Sequence, residues 1–311
     1  MTMSLTRSVL RPFALALALP VLAGPAAQAQ SQAQAQIQAQ TQVEAQGQID
    51  PTTALAETAP ELRALLADMG FYQILEVMSA EGIAGGPEME ADMFPGRGGA
   101  AWAAVVAGIY SADRMARDFE AALPLDRLTP EHIDTLRAFY ATDIGARVAA
   151  GELAARQSFL QPGVEEAAGE LAASRAAEDH PRIALLTEFI AVNDLVELNV
   201  SGALNSNFAF YRGLSDGGAF AQPIPEDLML TEVWGQEAEI RADLTEWLYA
   251  YQTLAYDDLE DAQLRAYIDL TATEAGQALN AALFAGFAAL FDSISYDLGV
   301  AAAHFISGEE T

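Results

Sequence analysis

The feature that most constrains the fold is an apolar stripe near the end of the chain. Leu279, Leu283, Phe287, Leu290, Ile294, Leu298, Ala301 and Phe305 follow one another at steps of 4, 4, 3, 4, 4, 3 and 4 residues. Steps of three and four keep side chains on one face of an α-helix, whereas a strand, with its period of two, would scatter them over both faces. So long a seam needs other helices to cover it, and the simplest cover is the protein's own core. Phe284 and Phe291 widen the stripe on one side. A second reading makes that widened side a groove for an apolar ligand or a partner helix, with Phe284, Phe287 and Phe291 as its ligand-binding residues.

Helical spacing recurs upstream, alanine is abundant and β-branched residues are sparse, so the predicted fold class is all-α. Helices are expected over 60–80, 100–123, from Thr129-Pro130-Glu131 onward, over 143–159 and over 163–178. Two long helices are expected over 181–205 and 226–255, and two more close the chain. Glycine and proline are dense in 81–99 and in 207–225, which therefore read as loops. The pattern restarts midway. Residues 128–145 and 259–276 align without gaps at an offset of 131, with Leu128/Leu259, Ala141/Ala272, Thr142/Thr273 and Gly145/Gly276 identical. This predicts two degenerate helical repeats, 55–179 and 180–311, packed into one multi-helix body. Thr142 and Thr273 are expected to cap new helices, which places Gly145 and Gly276 in the first turn, where the preceding helix would pass too close for a Cβ.

The first residues read differently. Arg7 and Arg11, an apolar run over 13–22 and Ala27-Gln28-Ala29 form a cleavable signal pattern ending at residue 29. Gln alternates with small residues up to Gln48, so 30–54 is expected to be a disordered linker. The expected location is the periplasm. The chain has no Cys, so it is neither a lipoprotein nor held by disulfides. Acidic residues number 44 against 15 basic ones, all arginine. That balance argues against nucleic acid or an anionic membrane as partner. The lack of lysine removes Schiff-base chemistry and phosphate-loop motifs.

Candidate chemistry is thin. Gly213-Leu214-Ser215-Asp216-Gly217 matches the G-x-S-x-G nucleophile elbow. That motif needs a strand before it and a helix after it, and the following Gly-Ala-Phe-Ala-Gln-Pro-Ile-Pro cannot open a helix. The glycines then serve a turn. His132, His180 and His304 lie far apart in sequence and outside any zinc pattern. The first two are expected at the surface near helix starts, and His304 as a packed residue of the last helix. The acidic cluster of Asp257, Asp258, Glu260 and Asp261 lacks calcium-loop spacing and suits a helix N-terminus better. No catalytic residue, metal or cofactor is assigned.

The segment Phe139-Tyr140-Ala141-Thr142-Asp143-Ile144-Gly145 resembles the hallmark of an exported bacterial family catalogued as domain of unknown function 2059: a helix, an aromatic pair, a short Ser/Thr-containing turn with a glycine, and a second helix. The later copy, Leu270 to Gly276, lacks the aromatic pair. The resemblance implies an α-helical protein of the periplasm or envelope, and neither a reaction nor functional residues. The leading expectation is non-enzymatic binding of a protein partner or a small apolar ligand. The alternatives are a serine hydrolase using Ser215 and a purely structural envelope component.

Overall fold

The computed structural model describes residues 54–308, and every regular element among them is helical. The proposed signal and almost all of the linker lie outside the described residues. The chain begins with α1 (Ala54–Thr58), α2 (Pro60–Asp68) and α3 (Phe71–Met93), followed by α4 (Gly99–Ile109) and α5 (Ala112–Ala122). A single 3-10 turn (Leu125–Arg127) leads to α6 (Pro130–Tyr140), α7 (Asp143–Phe159) and α8 (Val164–Ala177). Then come α9 (Pro181–Val192), α10 (Leu195–Asp216), α11 (Glu226–Trp234), α12 (Glu237–Ala255), α13 (Asp261–Thr271) and α14 (Glu274–Ser307).

Several expected boundaries are corrected. Most of the segment 81–99 is not a loop: α3 runs through Gly82, Gly85, Gly86 and Pro87 to Met93, and only 94–98 form the expected loop. Two of those glycines are there for space. A Cβ on Gly82 would sit 2.1 Å from the Tyr110 ring, and one on Gly86 would sit 3.2 Å from Val106. Pro87 costs the helix one N–H, while the indole of Trp102 donates to Gly86 O at 2.7 Å and ties α4 to α3. The expected helix over 60–80 breaks at Gly70, which has φ +74°. The helix over 100–123 breaks at Tyr110-Ser111, and that over 226–255 breaks at Gly235-Gln236. The helix over 181–205 breaks at Asn193-Asp194, after which α10 continues through Asp216, so the following loop starts at Gly217 rather than at 207.

The 34-residue α14 is the central strut. It lies along α10 and also meets α4, α5 and α6, while α12 packs on α7 and α8. The stripe from Leu279 to Leu298 is buried, as expected. By length and composition α14 could cross a bilayer, but half of its most apolar window is covered by other helices. One continuous core draws on residues from Leu55 to Ala303, on both sides of residue 180.

Small residues set the closest approach. A Cβ on Gly213 of α10 would lie 2.2 Å from Tyr296 O, and one on Gly299 of α14 would lie 2.3 Å from Phe210 O. One turn on, a Cβ on Gly217 would lie 2.7 Å from Ala303 Cβ. The apparent nucleophile elbow is therefore a helix-packing motif. Its two glycines, four residues apart, share one helix face and let two backbones touch.

Candidate functional site

The structure buries one carboxyl among tyrosines. Helix α7 turns Val148, Ala149, Ala155 and Phe159 inward, and Glu152 shares that face. Its neighbour Gly151 has no room for a side chain, since a Cβ would lie 2.2 Å from Ala255 O. The contact brings the end of α12 against α7. Tyr256 then donates to Glu152 Oε1 at 2.7 Å, and Tyr267 of α13 donates to the same oxygen at 3.1 Å. Tyr251 donates to the backbone carbonyl of Glu152 at 2.9 Å. Tyr140, at the end of α6, is buried beside them and lines the same part of the interior.

Burial pushes the Glu152 carboxyl up to about 7, with the hydroxyls of Tyr256 and Tyr267 pulling the other way. Burial and the nearby carboxyl hold the phenols of Tyr251, Tyr256 and Tyr267 well above their ordinary value. They remain hydrogen-bond donors at any physiological pH.

Beside this carboxyl lies a cavity of about 80 Å³. A water needs roughly 10–15 Å³ measured this way, so the space corresponds to about five to eight waters. The Tyr and Glu152 side chains line one part, and Phe189, Leu248, Leu279, Leu283 and Phe287 line much of the rest. Gln252 also lines it; the residue is 2% exposed and its Oε1 has no hydrogen-bond partner. Asn280 and Phe284 face both this cavity and an outer groove that includes Arg127, Asp194 and Gln277.

One turn along α7, Arg156 is fully buried and paired with Glu81, with its guanidinium carbon 6.0 Å from the centre of the Trp247 ring. This pair ties α7 to α3 and does not line the cavity.

Of the three phenylalanines expected to bind a ligand, Phe284 and Phe287 line the cavity. Phe291 does not. It is fully buried and stacks on Phe287 at 6.1 Å, one further turn into the core where α14 has no free face. Thr142 and Thr273 cap α7 and α14 with the same geometry. Each hydroxyl accepts from the N–H of Gly145 or Gly276 at 3.1 Å and donates back to the carbonyl of Phe139 or Leu270, at 2.7 and 2.6 Å. A Cβ on Gly145 would lie 2.2 Å from Phe139 O, and one on Gly276 would lie 2.4 Å from Leu270 O. Gly276 also lines the cavity.

Ser215 lies in the last turn of α10, without the strand that an elbow requires, and its hydroxyl accepts from Ile224 N at 3.3 Å. His180 is exposed and caps α9, accepting from Arg182 N at 3.2 Å. His132 is half-buried rather than at the surface and approaches Glu274 at 4.0 Å, and His304 is half-buried on α14. In the acidic cluster, Asp257 pairs with Arg175 at 2.7 Å and Asp261 with Arg182 at 3.3 Å, while Glu260 forms a capping box with Gln263. Among the described residues no three His, Asp or Glu side chains are grouped to hold a metal ion.

Sequence reasoning missed Glu152 and its tyrosines. A signal existed, since Glu152 stands four residues after Val148 and three before Ala155 on an inward face. Fold and site together define an all-helical protein with an interior cavity walled by aromatic rings around one carboxyl. Comparison with protein-family models, with curated proteins and with solved structures finds no match to this chain.

Proposed function

We propose that this protein binds a small, largely apolar ligand in the Glu152 cavity without transforming it. The observation that carries the reading is the cavity itself: apolar walls, a few convergent polar groups, and a buried acceptor, Gln252 Oε1, left without a donor. Close packing is the rule inside proteins, and a buried polar atom left unpaired costs about 1–3 kcal/mol. A ligand that fills the space restores close packing around these groups. The hydrolase alternative has less support, because the glycines around Ser215 serve the crossing of α10 and α14. We further propose that the chain is exported to the periplasm after cleavage at residue 29. Residues 55–179 and 180–311 would be degenerate repeats, a reading supported by the matching caps at Thr142 and Thr273. Kinship with the exported family of unknown function rests on the same turn and its aromatic pair.

Thermal-shift titration with cyclic compounds of five to eight heavy atoms tests the binding reading. Saturable stabilisation is expected, and Leu248→Phe, which fills the cavity, should suppress it. If no compound stabilises the protein and native mass spectrometry of material isolated from its own cells shows no bound ligand, the reading is wrong.

A further inference from the structure

We infer that the ligand is a small amine bound as a cation, with its ammonium group at Glu152 and its hydrocarbon part against Leu279, Leu283 and Phe287. The inference rests on the cavity reading above and adds the chemistry of the ligand.

Three independent observations point this way. The first is charge. Glu152 is the only Asp, Glu, Arg or His among the residues lining the cavity. An anion would meet a carboxyl and no cation, whereas an ammonium group would find a counter-charge.

The second is the hydrogen-bond inventory. The polar part of the wall offers acceptors beside the carboxyl. Gln252 Oε1 has no donor, and Glu152 ionised is acceptor-only. The phenols spend their single protons locally: Tyr251 on the Glu152 carbonyl, Tyr256 and Tyr267 on Oε1. Their oxygens keep lone pairs. An ammonium group is the converse, with three donors and no acceptor.

The third is the rings. Phe189, Tyr256 and Tyr267 all line the cavity and form a triangle, with centroids 5.3, 5.7 and 5.9 Å apart. Aromatic faces within about 6 Å of a cation attract it, and more strongly where water is excluded. A ring cluster beside one carboxyl suits a desolvated ammonium group. Pairing would also lift the burial cost that Glu152 carries alone, since an opposite charge within a few ångströms favours the ionised form.

Size limits the class. Room equivalent to about five to eight waters admits a short alkylamine or a single-ring amine. Larger amines exceed that room.

The test is calorimetric titration of the purified protein with benzylamine, n-butylamine, toluene and benzoate at pH 8. The amines are expected to bind at least tenfold more tightly than toluene, and benzoate not at all. Glu152→Gln should erase the amine preference while toluene binding stays within about twofold, and Gln252→Leu should weaken the amines about threefold or more. Circular dichroism melts confirm that each variant is folded, and Tyr267→Phe provides a second perturbation should Glu152→Gln fail to fold. Toluene binding as tightly as the amines, or amine binding unchanged in Glu152→Gln, would sink this inference and leave the cavity reading standing. Binding of none of the four probes, together with no ligand on protein isolated from its own cells, would overturn both.

Discussion

Glu152 links sequence, stability and site in one residue. An exposed carboxyl of this kind loses its proton near 4.5, and Glu152 in the fold holds it to about 7. Between those values the folded state binds the proton and the unfolded state does not, so stability falls as pH rises through the window and levels off above it. A shift of that size corresponds to roughly 3 kcal/mol at most, at about 1.4 kcal/mol per pH unit. Glutamine can accept both phenol hydrogen bonds and has no charge to desolvate. Glu152→Gln is therefore expected to match the natural protein in denaturant melts at pH 4.5 and to exceed it by up to about 3 kcal/mol at pH 8. Parallel pH profiles would show that the carboxyl does not titrate in this window. Asp292, pushed up to about 6 by burial, and Glu81, also raised by burial, are unchanged in the variant and cancel in the comparison. The inward position of Glu152 was legible from its helix frame. Its partners were not, because Tyr251, Tyr256 and Tyr267 lie 99, 104 and 115 residues further along. No local periodicity reports a pairing over such a span.

At the scale of elements, glycine had two meanings that sequence alone could not separate. In 81–99 the glycines and Pro87 read as breakers, yet α3 runs through the first of them, with Tyr110 and Val106 in the space that side chains on Gly82 and Gly86 would take, and only Gly96, at φ +72°, lies in the loop that follows. At Gly145 and Gly276 the close-approach meaning was legible, because the same residue recurs one turn after a capping threonine. There the obstacle is backbone, which cannot swing aside as a side-chain tip can. Gly145→Ala and Gly276→Ala should each destabilise by about 1–3 kcal/mol, the usual cost of overpacking. An exposed helical glycine would instead gain up to about 1 kcal/mol from the same change. Stabilisation of both variants in urea melts would remove the packing role. The α10–α14 crossing makes a paired prediction. Gly213→Ala should cost at least as much as Gly145→Ala, while Ser215→Ala forgoes one 3.3 Å hydrogen bond, worth about 0.5–1.5 kcal/mol. A larger loss at Ser215 than at Gly213 would contradict the packing account.

For the whole molecule, fold class was legible and arrangement was not. The stripe from Leu279 to Phe305 announced a long helix with a buried face. It could not say that α10 would provide most of the cover, nor that α4, α5 and α6 would complete it. Those partners follow from where small residues allow backbones to meet, a property of pairs rather than of segments.

The position of α14 in the chain also dictates an order of events. Each helix that it touches is translated before it, and the contact of Arg97 with Ile306 spans 209 residues. A polypeptide emerging from the ribosome, or threading through a membrane, must wait for α14 before the interior can close. Contacts between residues so distant in sequence must overcome a large loop-closure entropy and form late. Chains stalled short of residue 274 are thus expected to remain protease-sensitive, and chains released after 307 to become resistant within one folding time. Resistance arising in the shorter chains would mean that α2 to α13 close a core unaided. If the expectation holds, the nascent protein stays open and threadable until α14 is complete, and chaperone capture would have to act in that interval.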